Sequence, residues 1–68
     1  MEKAIKIVKE METRCNLELD RIASNYSLTN PSNIYDAGYR KILVQMKDRE
    51  ITKLNLLSEL EMRLEAER

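Results

Sequence analysis

The chain has 68 residues, which is room for one domain. Chains this short rarely bury enough apolar surface alone to offset the entropy of ordering themselves, so a partner or a second copy is expected. Its 12 basic and 12 acidic residues leave no net formal charge, so the overall field that draws a basic protein to nucleic acid or to an anionic membrane is absent. One cysteine and no histidine exclude an intramolecular disulfide, an ordinary zinc site and histidine-dependent nucleophilic catalysis.

The first predicted element is a helix over about residues 2–27. Apolar side chains recur there in steps of three and four residues, which places them on one stripe of a helix. The opposite face alternates acidic and basic residues four apart, a pattern typical of a solvated surface. We interpret Cys15, in the middle of the stripe, as a small core residue. The stripe consists of Ala4, Val8, Met11, Cys15, Leu19, Ile22 and Tyr26.

A turn at about residues 28–31 is predicted to separate this helix from a second one over about residues 32–66. Asn30 is the expected N-cap, and Pro31 suits the first helical position because its missing N–H is not needed there. Gly38 is unfavourable inside a helix. It either marks the close approach of another backbone or is tolerated without a role.

The second helix carries two apolar lines where a simple hairpin needs one. The broader line matches the first helix in an antiparallel fold, which places Leu19 near Leu43 and Val8 near Leu54. The narrower line is either a set of scattered exposed residues or an interface, and self-association is its leading use. The broad line is Tyr35, Tyr39, Ile42, Leu43, Met46, Leu54, Leu57, Leu60 and Leu64; the narrow line is Ala37, Val44, Ile51 and Met62.

The fold class expected from these patterns is all-α: a two-helix antiparallel hairpin that dimerises into a coiled-coil-like four-helix bundle. A polar gap at residues 49–53 is expected level with residues 9–13 of the first helix. Either Glu12 or Glu50 pairs with Lys53 there and fixes the register, or the bundle opens to water at that point.

No motif carries recognisable chemistry, so we expect a non-enzymatic protein without cofactor or metal. The predicted function is a protein–protein interaction module, an adaptor, chaperone-like subunit or inhibitor, that binds itself and another protein through helix faces. The alternative is a nucleic-acid or nucleotide binder, because residues 40–53 carry a local charge of +3 and all three tyrosines lie near the turn. The candidate partner-binding residues are Arg40, Val44, Lys47, Ile51, Asn55 and Met62; the alternative ligand contacts are Tyr26, Asn33, Tyr35, Tyr39, Arg40 and Lys41.

The N-terminal segment carries charges throughout and has no apolar run long enough for a signal peptide or a membrane span. A single cysteine fits a reducing compartment. We therefore expect a cytoplasmic protein that makes no membrane contact, and the small size is typical of bacterial and phage proteins.

In outline the predicted hairpin is similar to the plasmid copy-number RNA-binding hairpins of the Rop type and to small hairpin chaperones or inhibitors of bacteria and phages. It also resembles the two-helix aspartyl phosphatases of the sporulation phosphorelay. Their Ser-Gln-Glu-Leu-Asp signature, however, has no counterpart in Tyr35-Asp36-Ala37-Gly38-Tyr39-Arg40. The resemblance covers architecture alone and carries over no residue and no activity.

Overall fold

The computed structural model describes residues 2–67 and shows two helices folded back on each other. Helix α1 spans Glu2–Ser27 and helix α2 spans Ile34–Ala66. The two helices pack together along their length, and no strand occurs within residues 2–67. The predicted all-helical hairpin is therefore confirmed.

Helix α2 begins at Ile34, later than the sequence indicates, because its N-cap is Asn33. The side-chain oxygen of Asn33 accepts hydrogen bonds from the backbone N–H groups of Tyr35, at 2.9 Å, and Asp36, at 3.4 Å. The prediction that Asn30 caps this helix was wrong. The Asn30 side chain instead accepts a hydrogen bond from the backbone N–H of Ser32 at 3.0 Å, which closes a tight Asx turn before the helix begins.

The cap assignment predicts which asparagine matters for stability. We expect Asn33→Ala to lower the free energy of unfolding by about 1 kcal/mol, because two N–H groups in the first turn of α2 lose their acceptor. Ser32→Ala, next to it and exposed, is the matched control and should have a much smaller effect. Urea unfolding followed by circular dichroism measures both. Equal losses in the two variants would contradict the assignment.

The core lies in the seam between the helices and is small. Leu43, only 1% exposed, is the single fully buried residue of α2, whereas α1 contributes several. The difference arises because the apolar side chains of α1 form one stripe while those of α2 surround the helix. Cys15 is buried, which confirms its interpretation as a core residue. The buried α1 residues are Ile5, Val8, Cys15 and Ile22.

The hairpin is a rod, two helices wide and one layer deep. Its Cα atoms extend over 52 × 14 × 10 Å, with a radius of gyration of 15.7 Å. A compact domain of this length has a radius of gyration of about 11 Å. Most side chains therefore lie at a surface, and no part of the described residues 2–67 covers the two broad flanks of the seam.

The register of the two helices differs from the prediction. Leu19 and Leu43 line one cavity, consistent with their expected proximity. Lys9 Nζ, however, lies 3.9 Å from a carboxylate oxygen of Glu61, which is further along α2 than the predicted level of residues 49–53. The later start of α2 lengthens the turn and shifts the pairing, so that Cys15 lies level with the polar gap.

Gly38 was one candidate for a close approach between backbones. A Cβ atom built at this position would meet nothing within 4 Å. Within the hairpin, therefore, no neighbouring backbone or side chain requires a glycine there.

Candidate interaction surfaces

Two carboxyl groups face each other across the seam. One oxygen of Glu12 is buried and finds a donor only if a proton is shared with Glu61. This sharing raises the pKa of Glu12 above its ordinary value of 4.5, and burial and the charge of Glu61 act in the same direction, while Lys9 opposes them. The pair therefore favours a proton in the folded state.

A second polar group occupies the middle of the seam. Lys53 Nζ lies 3.0 Å from a carboxylate oxygen of Glu50, whose side chain is 14% exposed, so the predicted pairing with Lys53 is made by Glu50 and not by Glu12. The Lys53 ammonium, by hydrogen bonding, lowers the pKa of Glu50. Burial, followed by hydrogen bonding to Glu50, raises the pKa of the Cys15 thiol. The thiol is therefore held protonated, the less reactive form.

One flank of the seam contains an open groove with a volume of about 510 Å³. Met11 of α1 and Leu56 and Leu57 of α2 give it apolar walls, and the charged Arg14 and Lys53 also line it. Leu56 and Met11 are exposed although they are large and apolar. We call this side of the hairpin the groove flank.

The predicted partner-binding residues lie along the other side of α2. Val44 lines a cavity with Ala23 and Tyr26 that does not include any groove residue, which places it across the seam from the groove flank. All members of the predicted set are exposed except Arg40, which is half-buried. Helical spacing places these exposed members on one side of α2: Val44, Lys47, Ile51, Asn55 and Met62.

At the turn, Arg40 holds the two helices together. Its Nε and a terminal nitrogen donate to the side-chain oxygen of Thr29 and, at 3.3 Å, to the Thr29 carbonyl. Its guanidinium carbon also lies 4.6 Å from the centre of the Tyr26 ring, a cation–π distance. The side chain predicted to contact a ligand is thus already engaged within the hairpin.

The remaining residues of the predicted turn-end site are only partly brought together. Tyr26, Arg40 and Lys41 line one shallow cavity of about 490 Å³. Tyr35 and Tyr39 are exposed outside it, and the side-chain oxygen of Asn33 is used as the cap of α2. The three tyrosines therefore do not converge on a common pocket.

The contacts of Arg40 predict a structural effect on substitution. Arg40→Lys should lower the free energy of unfolding by about 1 kcal/mol, because an ammonium cannot reproduce the forked hydrogen bonds to Thr29. The control is Lys41→Arg, which makes the opposite replacement at the adjacent, exposed residue. Thermal unfolding monitored by circular dichroism compares them. An unchanged melting temperature for Arg40→Lys would show that the hydrogen bonds from Arg40 to Thr29 do not stabilise the hairpin.

The sequence reasoning missed part of the groove flank. It assigned Ile42 and Leu60 to the contact with α1, yet both are exposed, and it did not single out Leu56 or Ile7. The signal was present, since Ile7 lies one turn before Met11 and Leu56 one turn before Leu60. The broad apolar line of α2 is wider than the surface that α1 covers, so Ile42 and Leu60 remain exposed.

Two kinds of feature, a membrane-spanning helix and a metal centre, are not found among the described residues. Neither helix, over the described 66 positions from 2 to 67, has a stretch long and apolar enough to cross a membrane. No group of three or more potential metal-ligating side chains is gathered within that range.

The fold and its surfaces thus define a two-helix hairpin with a partly polar seam and exposed apolar flanks. No protein-family model matches the chain, and comparison with curated proteins and with solved structures likewise yields no match.

Proposed function

We propose that the chain is a small, non-enzymatic interaction module of the cytoplasm, which pairs with a second copy into a four-helix bundle. In that form it presents helix surfaces to a partner protein as an adaptor, chaperone-like subunit or inhibitor. Both parts of the proposal depend on apolar surface that the isolated hairpin leaves uncovered.

The observation that carries the proposal is the exposed area. The hairpin exposes 5411 Å². A compact monomer of 8.0 kDa is expected to expose roughly 4,450 Å², so the excess is about 960 Å². Stable protein–protein interfaces bury about 800 Å² on each partner. The surplus is therefore of the size that one protein interface removes.

The seam chemistry supports a non-enzymatic role. A catalytic pair needs a water-excluding cleft in which two groups acquire different proton affinities and a substrate can reach them. The Glu12–Glu61 pair lies between the two helices beside Lys9 and lines none of the cavities described above, and burial keeps the Cys15 thiol protonated. We therefore assign these groups to the contact between the helices and not to catalysis.

Two observations weigh against the nucleic-acid alternative. Of its candidate contacts, Arg40 is bound to Thr29 and Asn33 caps α2. The basic stretch 40–53 is followed on the same helix by an acidic stretch at residues 59–67, which opposes binding along a phosphate backbone.

Light scattering on the purified protein across a salt and concentration series, with the 260/280 nm absorbance ratio recorded, tests the proposal. We expect the mass of two chains, a ratio typical of protein, and a melting temperature that rises with concentration. A monomeric mass with a concentration-independent melting temperature would overturn the proposal. A high ratio that falls with salt would replace it by nucleic-acid binding.

A further inference from the structure

The groove flank carries exposed apolar side chains from both helices, interrupted in the middle of α2 by Arg49 and Lys53. On α2, Ile42, Leu56 and Leu60 lie on one side, since the steps 42, 46, 49, 53, 56 and 60 alternate between four and three residues. On α1, Ile7 and Met11 lie one turn apart on the side that borders the same groove. All five side chains are exposed.

The opposite flank is narrower. Its large exposed residues on α2 are Val44, Ile51 and Met62, and near the turn α1 adds Tyr26, whose ring Arg40 partly covers. The α1 residues that border it toward the open end include Lys9 and Thr13, which are polar. Among the described residues, the groove flank therefore offers the longer apolar surface shared by both helices, from Ile7 and Met11 near the open end to Ile42 near the turn.

The charge along α2 is segregated in a way that makes the helix complementary to itself. Residues 40–53 carry a net charge of +3, and residues 59–67 carry a net charge of −3. In antiparallel packing with Ile42 of one copy opposite Leu60 of the other, residues 40–43, which carry two positive charges, face residues 59–62, which carry two negative charges; packing in the same direction would oppose like charges there. Near the axis Arg49 and Lys53 of the two copies approach each other. The groove there also contains the acidic Glu18 and Glu50.

From these observations we infer that the groove flank is a dimer interface, which binds the groove flank of a second copy of this chain. The two α2 helices run antiparallel in the dimer, and the two-fold axis passes near the middle of α2. This inference rests on the proposed function and adds the face and the direction of pairing. A two-fold interface buries the same patch on both copies. It leaves the Val44–Ile51–Met62 line on the outside of the dimer, where a different protein can reach it.

A matched pair of substitutions tests which face is used. Leu60→Glu places a charge on the groove flank, and Met62→Glu places the same charge on the opposite flank of the same helix, at a residue that is 72% exposed. We expect Leu60→Glu to weaken dimerisation at least tenfold and Met62→Glu to leave it within twofold of the original protein. Sedimentation equilibrium measures the dissociation constant, and circular dichroism at high concentration shows whether each variant still forms helix.

The outcomes separate the inference from the proposed function. If the original chain is a dimer, Met62→Glu dissociates it and Leu60→Glu does not, the face is wrong but the interaction module stands. If Leu60→Glu is unfolded at all concentrations, Leu56→Glu, at a residue 62% exposed, replaces it and must weaken the dimer. A dimer that persists in both groove variants overturns the inference. A monomeric original chain overturns the proposed function.

Cross-linking tests the direction of pairing. In a Cys15→Ala background, a chain with Ile42→Cys is mixed with a chain carrying Leu60→Cys and oxidised. We expect the mixed disulfide to form at least tenfold faster than the disulfide between two Ile42→Cys chains. Faster pairing of Ile42→Cys with itself would show that the helices run in the same direction and would overturn the antiparallel arrangement.

Discussion

Leu43→Ala should unfold most of the protein at room temperature. Truncating a fully buried leucine removes its transfer free energy and leaves a cavity, at a cost of about 2–5 kcal/mol. Leu43 is the only fully buried residue that α2 contributes to the seam, and a chain of this size has only a few kcal/mol of stability to lose. The loss of ellipticity at 222 nm and a lower urea midpoint measure the effect.

Leu17→Ala is the control for this prediction. Leu17 is 64% exposed on α1, so the same truncation removes little burial there, and alanine favours helix slightly more than leucine. Its urea midpoint should stay close to that of the original protein. Similar destabilisation by the two substitutions would mean that the seam around Leu43 is not the principal source of stability.

Glu12→Gln is expected to stabilise the hairpin at neutral pH by about 1 kcal/mol. Glutamine has nearly the shape of glutamate, carries no charge, and its amide can donate to the Glu61 carboxylate in place of a shared proton. Urea unfolding at about pH 7 measures the gain, with the exposed Glu10→Gln as control. A loss of stability in Glu12→Gln alone would show that the charge of Glu12 is needed.

The same pair predicts how stability depends on pH. Because the pKa of Glu12 is raised in the folded state, the folded protein binds that proton more tightly, and the free energy of unfolding rises as pH falls from 7 through the raised pKa. The gain is complete below the ordinary value of 4.5. The pKa of Glu50 is lowered, so its contribution is present above 4.5 and is lost as pH falls through the lowered value.

The raised pKa of Glu12 and the lowered pKa of Glu50 together predict that the free energy of unfolding is greatest on the acidic side of neutrality. Urea unfolding between about pH 7 and about pH 4 should show this maximum in the original protein. In Glu12→Gln the rise below pH 7 should disappear, while the fall at lower pH remains because Glu50 is intact. A profile that falls steadily from pH 7 in the original protein would contradict the shared proton.

Most of helix α1 could be predicted from the sequence because most of its apolar residues form one stripe, although Met11 in that stripe and Leu17 outside it are exposed. Val8, Cys15 and Ile22 lie on the same face of the helix, and all three are buried. Helix α2 is different, since apolar residues occur around its whole circumference and periodicity alone does not show which of them face α1. Ile42 and Leu60 were assigned to the seam for this reason, yet they remain exposed.

The start of α2 and the register of the helices could not be predicted, because local sequence patterns do not show which asparagine caps the helix. Asn30 and Asn33 are both good capping residues, and the choice between them follows from the Asx turn at Asn30. Once α2 starts at Ile34, residues 9–12 meet Glu61 and not the polar gap at residues 49–53. The candidate partner-binding flank remains a prediction, because a single hairpin cannot show which surface a partner covers.

The contact between Arg40 and Thr29 also predicts an order in which the hairpin assembles. Its two residues are eleven apart in the chain, whereas Lys9 and Glu61 at the open end enclose most of the sequence. Closing a short loop loses less chain entropy than closing a long one, so the turn end forms first and the helices zip together toward the termini. The open end is correspondingly the first part to separate, and its amide hydrogens exchange with solvent faster than those beside Arg40 and Thr29.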